Sequence, residues 1–308
     1  TGYPRQRGNP LQETRVQPVR LMSEEQGIVS FHVMLIVLLA ALLHAAWNAF
    51  IKSGEDTLLE TTLLVTGAGV IAGLILPLVP LPAQTSWFFL AASVAIHCVY
   101  FSLVALAYRT GELSFAYPMM RGSAPLFTAV LTVFVVGDPL GTGGWSGILL
   151  LCAGILWLSR DGWKSANSQK HALAFALLNA AVIVAYTVVD GLGVRASGNA
   201  WSYVLWLFFL NTFPLLAIGF ASNARAVFST PLRGWMKGFG GGLCTVLAYG
   251  LALWAMTQAP IALVAALRET SVLIGTALGA LLLKERFGPS RWFAAALITA
   301  GAVVMKAL

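Results

Sequence analysis

Charge is what this sequence has least of. Of its 308 residues only 10% are Asp, Glu, Lys or Arg, and just 12 are acidic. A soluble domain carries roughly 25% charged residues, so this chain has too few to cover a water-facing surface. Cysteine is scarce too. Cys98, Cys152 and Cys244 each stand alone in an apolar run, which excludes a disulfide framework or a CxxC metal or redox site. They read as small core residues. Also missing are an HExxH helix, a P-loop, zinc-ligand spacing and a GxSxG elbow. The glycine-rich GTGGWSG at 141–147 lacks a following Lys-Ser/Thr and reads as a turn. Nothing supports an enzyme, a catalytic residue, a cofactor or a metal. The net charge of +7 is scattered over short connections and the N-terminal tail rather than clustered, so no nucleic-acid partner is expected.

What the sequence has is apolar length. Hydrophobic residues make up 58% of the chain and the mean hydropathy is +0.80. Ten apolar segments, each near the ~20 residues that cross a bilayer, are expected. They lie at about 30–51, 58–79, 86–108, 113–136, 143–159, 171–192, 201–221, 236–257, 260–283 and 290–307. Short polar breaks separate them, such as KSGED (52–56), GDPLG (137–141) and RDGWKSANSQK (160–170). No break is long enough for a folded domain, so the expectation is an all-α integral membrane protein whose chemistry lies within the lipid bilayer. Residues 1–27, with three prolines, four arginines and no periodicity, read as a disordered tail and not as a signal peptide. Connections 160–170, 222–237 and 284–291 hold nine Lys or Arg, which would place both termini outside. The arginines of the tail pull the other way, so the orientation stays open.

Sliding the chain against itself by 147 residues, without a gap, brings Arg121 onto Arg268, Trp145 onto Trp292, Gly154 onto Gly301 and Asp138 onto Glu285. A five-segment unit repeated once enters the membrane in opposite senses, because five is odd. The expectation is therefore ten transmembrane helices as two inverted five-helix repeats, 28–160 and 171–308. This is the architecture of alternating access to a central site.

Three stretches carry a family resemblance: ALLHAAWNAFIKSG (41–54), GELSFAYPMMRGSAPLFTAVL (111–131) and APIALVAALRETSVLIGTALGALLLKERFGPSRWFAAALITAGAVVM (259–305). They resemble the drug/metabolite transporter superfamily, EamA type, over residues 28–308. The resemblance implies a ten-helix metabolite carrier of the bacterial inner (plasma) membrane, working as a monomer. The amino-acid exporter branch is the nearest, which implies outward movement of an apolar or aromatic amino acid. A sugar phosphate or nucleotide sugar is the alternative substrate; such a dianion calls for several cations in the cavity.

Candidate site residues are those that share a helical face with other polar or aromatic residues. His44, Trp47 and Asn48 form such a stripe in the first segment, with Lys52 continuing it to the surface. His97 and Tyr100 share a face in the third, read either as cavity wall or as interhelical hydrogen bonding. Tyr117 and Arg121 share a face in the fourth, with Pro118 and Pro125 loosening the helix. Arg121 reads as a clamp on freed carbonyls or as a carboxylate binder. Asn179, Tyr186 and Asp190 share a face in the sixth, where Asp190 reads as a solvated interfacial acid. Trp206 near Asn211, and Tyr249 with Trp254, add aromatics. His44, Trp47, Asn48, His97, Tyr100, Tyr117, Tyr186, Trp206 and Trp254 are the expected substrate contacts. Arg121, Asp190, Arg268 and Glu269 are expected to be structural or coupling groups. Arg268 reads chiefly as part of the repeat interface. Glu269 has Gly122 opposite it in the repeat, and reads as a coupling group or a neutraliser of Arg268. Ser271, Gly275 and Gly279 read as a small-residue stripe for close helix approach.

Overall fold

The computed structural model describes residues 29–52, 54, 56–109, 113–158, 160, 170–283 and 288–307. Among them every regular element is helical. In chain order these are α1 (Phe31–Lys52), α2 (Thr57–Ile75), α3 (Trp87–Arg109), α4 (Leu113–Leu131), α5 (Thr142–Leu158) and α6 (Lys170–Ala196), followed by α7 (Ala200–Ser229), α8 (Leu232–Met256), α9 (Ile261–Arg268), α10 (Thr270–Leu283) and α11 (Pro289–Ala307). Six helical stretches among the described residues are long and apolar enough to cross a membrane: Phe31–Ala49, Thr57–Leu78, Met119–Val136, Leu173–Ala196, Ala200–Ser222 and Leu232–Met256.

The surface is apolar and the inside holds the polar groups, the reverse of a soluble domain. Phe31, Leu35, Leu39 and Leu42 of α1 recur at helical spacing and face outward. Meanwhile Arg121, Asn179, Asp190, Arg268 and Glu269 are buried. Only a hydrocarbon surrounding makes this arrangement favourable.

Local signals explain the helix ends. The Asp56 side chain accepts from Leu58 N at 2.9 Å and Leu59 N at 3.1 Å, capping α2. Asn199 caps α7 through Ser202 N at 3.0 Å. Past α4 the chain widens into a π turn, Thr132–Val136, ended by Gly137 at φ 79°, a left-handed conformation that glycine adopts without strain.

The longest seams run between α5 and α11, α2 and α8, α2 and α7, and α1 and α8. Others join α4 and α6, α3 and α6, α3 and α7, α4 and α9, and α1 with α9 and α10. Missing side chains make two of these seams close. A Cβ on Gly301 would stand 2.6 Å from the Gly147 carbonyl oxygen, and one on Gly242 would stand 2.5 Å from Ala68 N. The expected small-residue stripe at Ser271, Gly275 and Gly279 is corrected here: a Cβ on Gly275 would meet nothing within 4 Å. Side chains beyond residue 277 on α10 lie outside the described residues.

Two boundaries differ from expectation. The connection expected at 222–237 is almost wholly helical, since α7 runs to Ser229 and α8 starts at Leu232. Pro231, not the polarity of ASNARA, sets the break. The expected ninth segment is two helices. Glu269 N donates to Ala266 O at 2.9 Å, three residues back, and the tightened turn separates α9 from α10 in the absence of Gly or Pro.

Candidate functional site

A cavity of about 200 Å³ occupies the half of the bundle nearest the α1–α2 turn. Its wall draws on α1–α4 and α6–α9.

The α1 stripe forms one side. His44 and Trp47 meet edge to face at 4.9 Å, and Asn48 Nδ2 donates to the His44 carbonyl at 2.8 Å. Across from it an aromatic ladder rises. His97 is anchored to Ser93, with Nδ1 2.9 Å from the Ser93 carbonyl and 3.1 Å from its hydroxyl. Its ring stacks on Tyr186 at 4.8 Å, and Tyr100 meets Tyr186 edge-on at 5.7 Å. Tyr249 of α8 lies edge-on to His97 at 6.3 Å and to Phe208 at 6.0 Å.

The floor carries the charges. Arg121 Nε lies 2.7 Å from Glu269 Oε2, both side chains 3% exposed. Arg121 Nη2 reaches His44 Nε2 at 3.2 Å and Ser271 Oγ at 3.5 Å. A guanidinium only donates, so His44 Nε2 accepts. Glu269 therefore forms its direct ion pair with Arg121 of the other half of the chain, while its charge also attracts its neighbour Arg268, so the expected neutralisation is shared with a partner on another helix. Arg268 lines the cavity, its guanidinium carbon 5.6 Å from the centre of the Tyr249 ring. It is the last residue of α9, where the helix dipole favours a cation.

Asp190 is fully buried behind this wall, which overturns the solvated reading. Tyr203 Oη donates to its Oδ1 at 2.9 Å and Tyr249 Oη to its Oδ2 at 2.5 Å. Hydropathy ends the sixth segment near Asp190, but α6 continues to Ala196, placing the acid inside the bundle.

The end of the bundle away from the cavity is closed. Arg195 Nη1 and Nη2 donate to the two oxygens of Asp138 at 2.7 and 3.0 Å. The same side chain donates to the carbonyls of Met256 (2.8 Å) and Ala259 (3.0 Å). Asp138 Oδ2 also accepts from Ile261 N at 3.0 Å, capping α9. One fork thus ties the ends of α4, α6 and α8 to the start of α9.

Of the expected contacts, His44, Trp47, Asn48, His97, Tyr100 and Tyr186 line the cavity, together with Arg121 and Arg268. Trp206 and Trp254 are not brought to it. Trp206 lies edge to face on Trp87 at 5.0 Å, and Trp254 packs against the core between helices. The side chain of Tyr117 lies outside the described residues. Thr57, Thr61, Phe175, Phe208 and Thr245 line the cavity unforeseen. Their signal was spacing: Thr57 and Thr61, Phe175 and Asn179, and Thr245 and Tyr249 are each i, i+4 pairs.

An apolar exterior around a charged interior, with spans of bilayer length, defines an integral, multi-pass, helical membrane protein. Residues 170–306, from α6 to α11, match the EamA-like transporter family. A protein of known crystal structure shares the fold at 21% sequence identity, with a TM-score of 0.68 over 89% of this chain and 96% of that one. No curated protein matches the sequence.

Proposed function

We propose that the chain is a ten-span carrier that exports small zwitterionic metabolites, apolar or aromatic amino acids above all, by alternating access. The observation that carries this reading is the asymmetry of the bundle. A mixed aromatic and polar cavity fills one half, while the Asp138–Arg195 fork and the Asp190–Tyr203 layer close the other.

Helix packing supports two inverted halves. With α9 and α10 taken as one span and α11 as the tenth, each of the seams named above keeps a counterpart when every span is exchanged for the one five places on. The α1–α8 seam becomes α6–α3, α2–α8 becomes α7–α3, and α4–α6 becomes α9–α1. The α2–α7, α4–α9 and α5–α11 seams map onto themselves. Rocking one half on the other would then open the closed end and shut the open one. A phosphate dianion is disfavoured, because Glu269 neutralises Arg121 and leaves Arg268 as the one open cation among the described wall residues.

The test is flux of labelled amino acids from proteoliposomes holding the purified chain, with and without an imposed pH gradient. Concentration-dependent flux for part of the panel is expected, reduced by Trp47→Ala. Absence of flux across the whole panel refutes the reading.

A further inference from the structure

Three buried polar side chains on the cavity wall keep hydrogen-bonding capacity that no other described group uses. Arg268 is 3% exposed and its Nε donor has no partner. Its chain neighbour Glu269 is committed to Arg121, and Asp190 takes the hydroxyls of Tyr203 and Tyr249. Asn179 and Asn211, 2% and 7% exposed, each carry an amide oxygen that receives no donor. Proteins seldom leave such groups empty, because a buried polar atom without a partner has lost its hydration for nothing. All three line the cavity.

Aromatic rings join them into one surface. Arg268 lies over the Tyr249 ring, which meets Phe208, and Asn211 follows Phe208 by one turn on α7. On the other side Tyr249 meets His97, His97 stacks on Tyr186, and Asn179 lies two turns before Tyr186 on α6. One cation is thereby set among uncharged acceptors, with Met120, Leu207 and Phe208 as apolar wall between. We infer that Arg268 holds the carboxylate of an amino acid while the amide oxygens of Asn179 and Asn211 accept its ammonium, the side chain resting on the apolar wall. The inference deepens the transport reading above and rests on it. It assigns Arg268 to substrate rather than to the repeat interface. It also explains the charge inventory: one open guanidinium matches one carboxylate, and neutral acceptors suit an ammonium without trapping a bare amine.

The experiment is binding to the full chain in lipid nanodiscs, read by thermal shift, with the twenty proteinogenic amino acids as first probes. The tightest binder is then compared with its two one-charge relatives. For leucine these are 3-methylbutylamine, which lacks the carboxylate, and 4-methylpentanoate, which lacks the ammonium. Each relative is expected to bind at least about 10-fold more weakly than the amino acid, the loss of a charge-assisted contact. Arg268→Gln should weaken the amino acid about 10- to 100-fold while leaving the amine unchanged, and Arg268→Lys should recover part of the loss. Asn179→Leu with Asn211→Leu should weaken the amino acid and leave the carboxylic acid unchanged. Equal affinity of wild type for amino acid and amine overturns the inference, as does an Arg268→Gln protein that binds the amino acid normally. Should that variant fail to fold, the wild-type comparison decides by itself. If none of the twenty binds wild type, the amino-acid reading itself falls.

Discussion

Removing the Glu269 carboxylate tests the central electrostatic claim, that the direct ion pair of this residue is with Arg121 and not with its neighbour Arg268. In Glu269→Ala the guanidinium of Arg121 keeps His44 at 3.2 Å and Ser271 at 3.5 Å but loses the carboxylate 2.7 Å from its Nε. Both side chains of the pair are 3% exposed, so water does not replace the lost partner. Breaking a buried pair from one side costs about 3–5 kcal/mol, which for a chain of this size lowers the unfolding midpoint by roughly 5–8 °C. Thermal unfolding in detergent, followed by tryptophan fluorescence, reads the shift directly. The decisive comparison is the double variant Arg121→Met with Glu269→Leu, which removes both charges and keeps the volume. It should recover most of the loss, because hydrophobic replacement of a buried pair is close to neutral. Arg268→Met with Glu269→Leu should not recover it, since that variant leaves the Arg121 charge without the Glu269 carboxylate. A midpoint for Glu269→Ala within about 2 °C of wild type, or recovery by the Arg268 variant instead, would refute the reasoning.

Two further outcomes follow from the packing and from the closed end. Gly301→Ala should destabilise by about 1–3 kcal/mol, because its methyl meets the Gly147 carbonyl and forces α5 and α11 apart. Gly275→Ala, with open space around it, should be neutral or gain up to ~1 kcal/mol from helix propensity; equal effects at both sites would contradict the packing. Arg195→Lys should lose the fork on Asp138 and at least one carbonyl contact, lowering the unfolding midpoint by several degrees. An ammonium cannot reproduce a bidentate guanidinium, so a wild-type midpoint for this variant would deny the fork its role.

How much of this was legible in the sequence depended on the range of the interaction. Helix positions were readable because hydrocarbon imposes length and composition on each span, and the α1 stripe because its members are neighbours on one helix. Partnerships across the bundle were not readable. Arg268 and Glu269 are adjacent, and adjacency suggested mutual neutralisation. The actual partner of Glu269 is Arg121 on another helix, which no spacing rule connects. Asp190 misled for a related reason, since hydropathy ended its segment early and the two tyrosines that bury it lie on α7 and α8. Trp206 and Trp254 show the limit of facial periodicity, which marks a polar or aromatic face without saying whether it meets a cavity or another helix. The unbonded state of Asn179, Asn211 and Arg268, on which the substrate inference stands, exists only once three helices are brought together.

The pair between Arg121 and Glu269 also dictates an order of events at synthesis. The arginine belongs to the first half of the chain and its carboxylate is made 148 residues later, the difference between positions 121 and 269. At about 5–20 residues per second, roughly 7–30 s pass in which the first five spans hold this cation, with His44 beside it, before its carboxylate is made. Neither half can therefore finish its interior unaided, and a gene split at the 160–170 connection should give two fragments that accumulate only when they are made together.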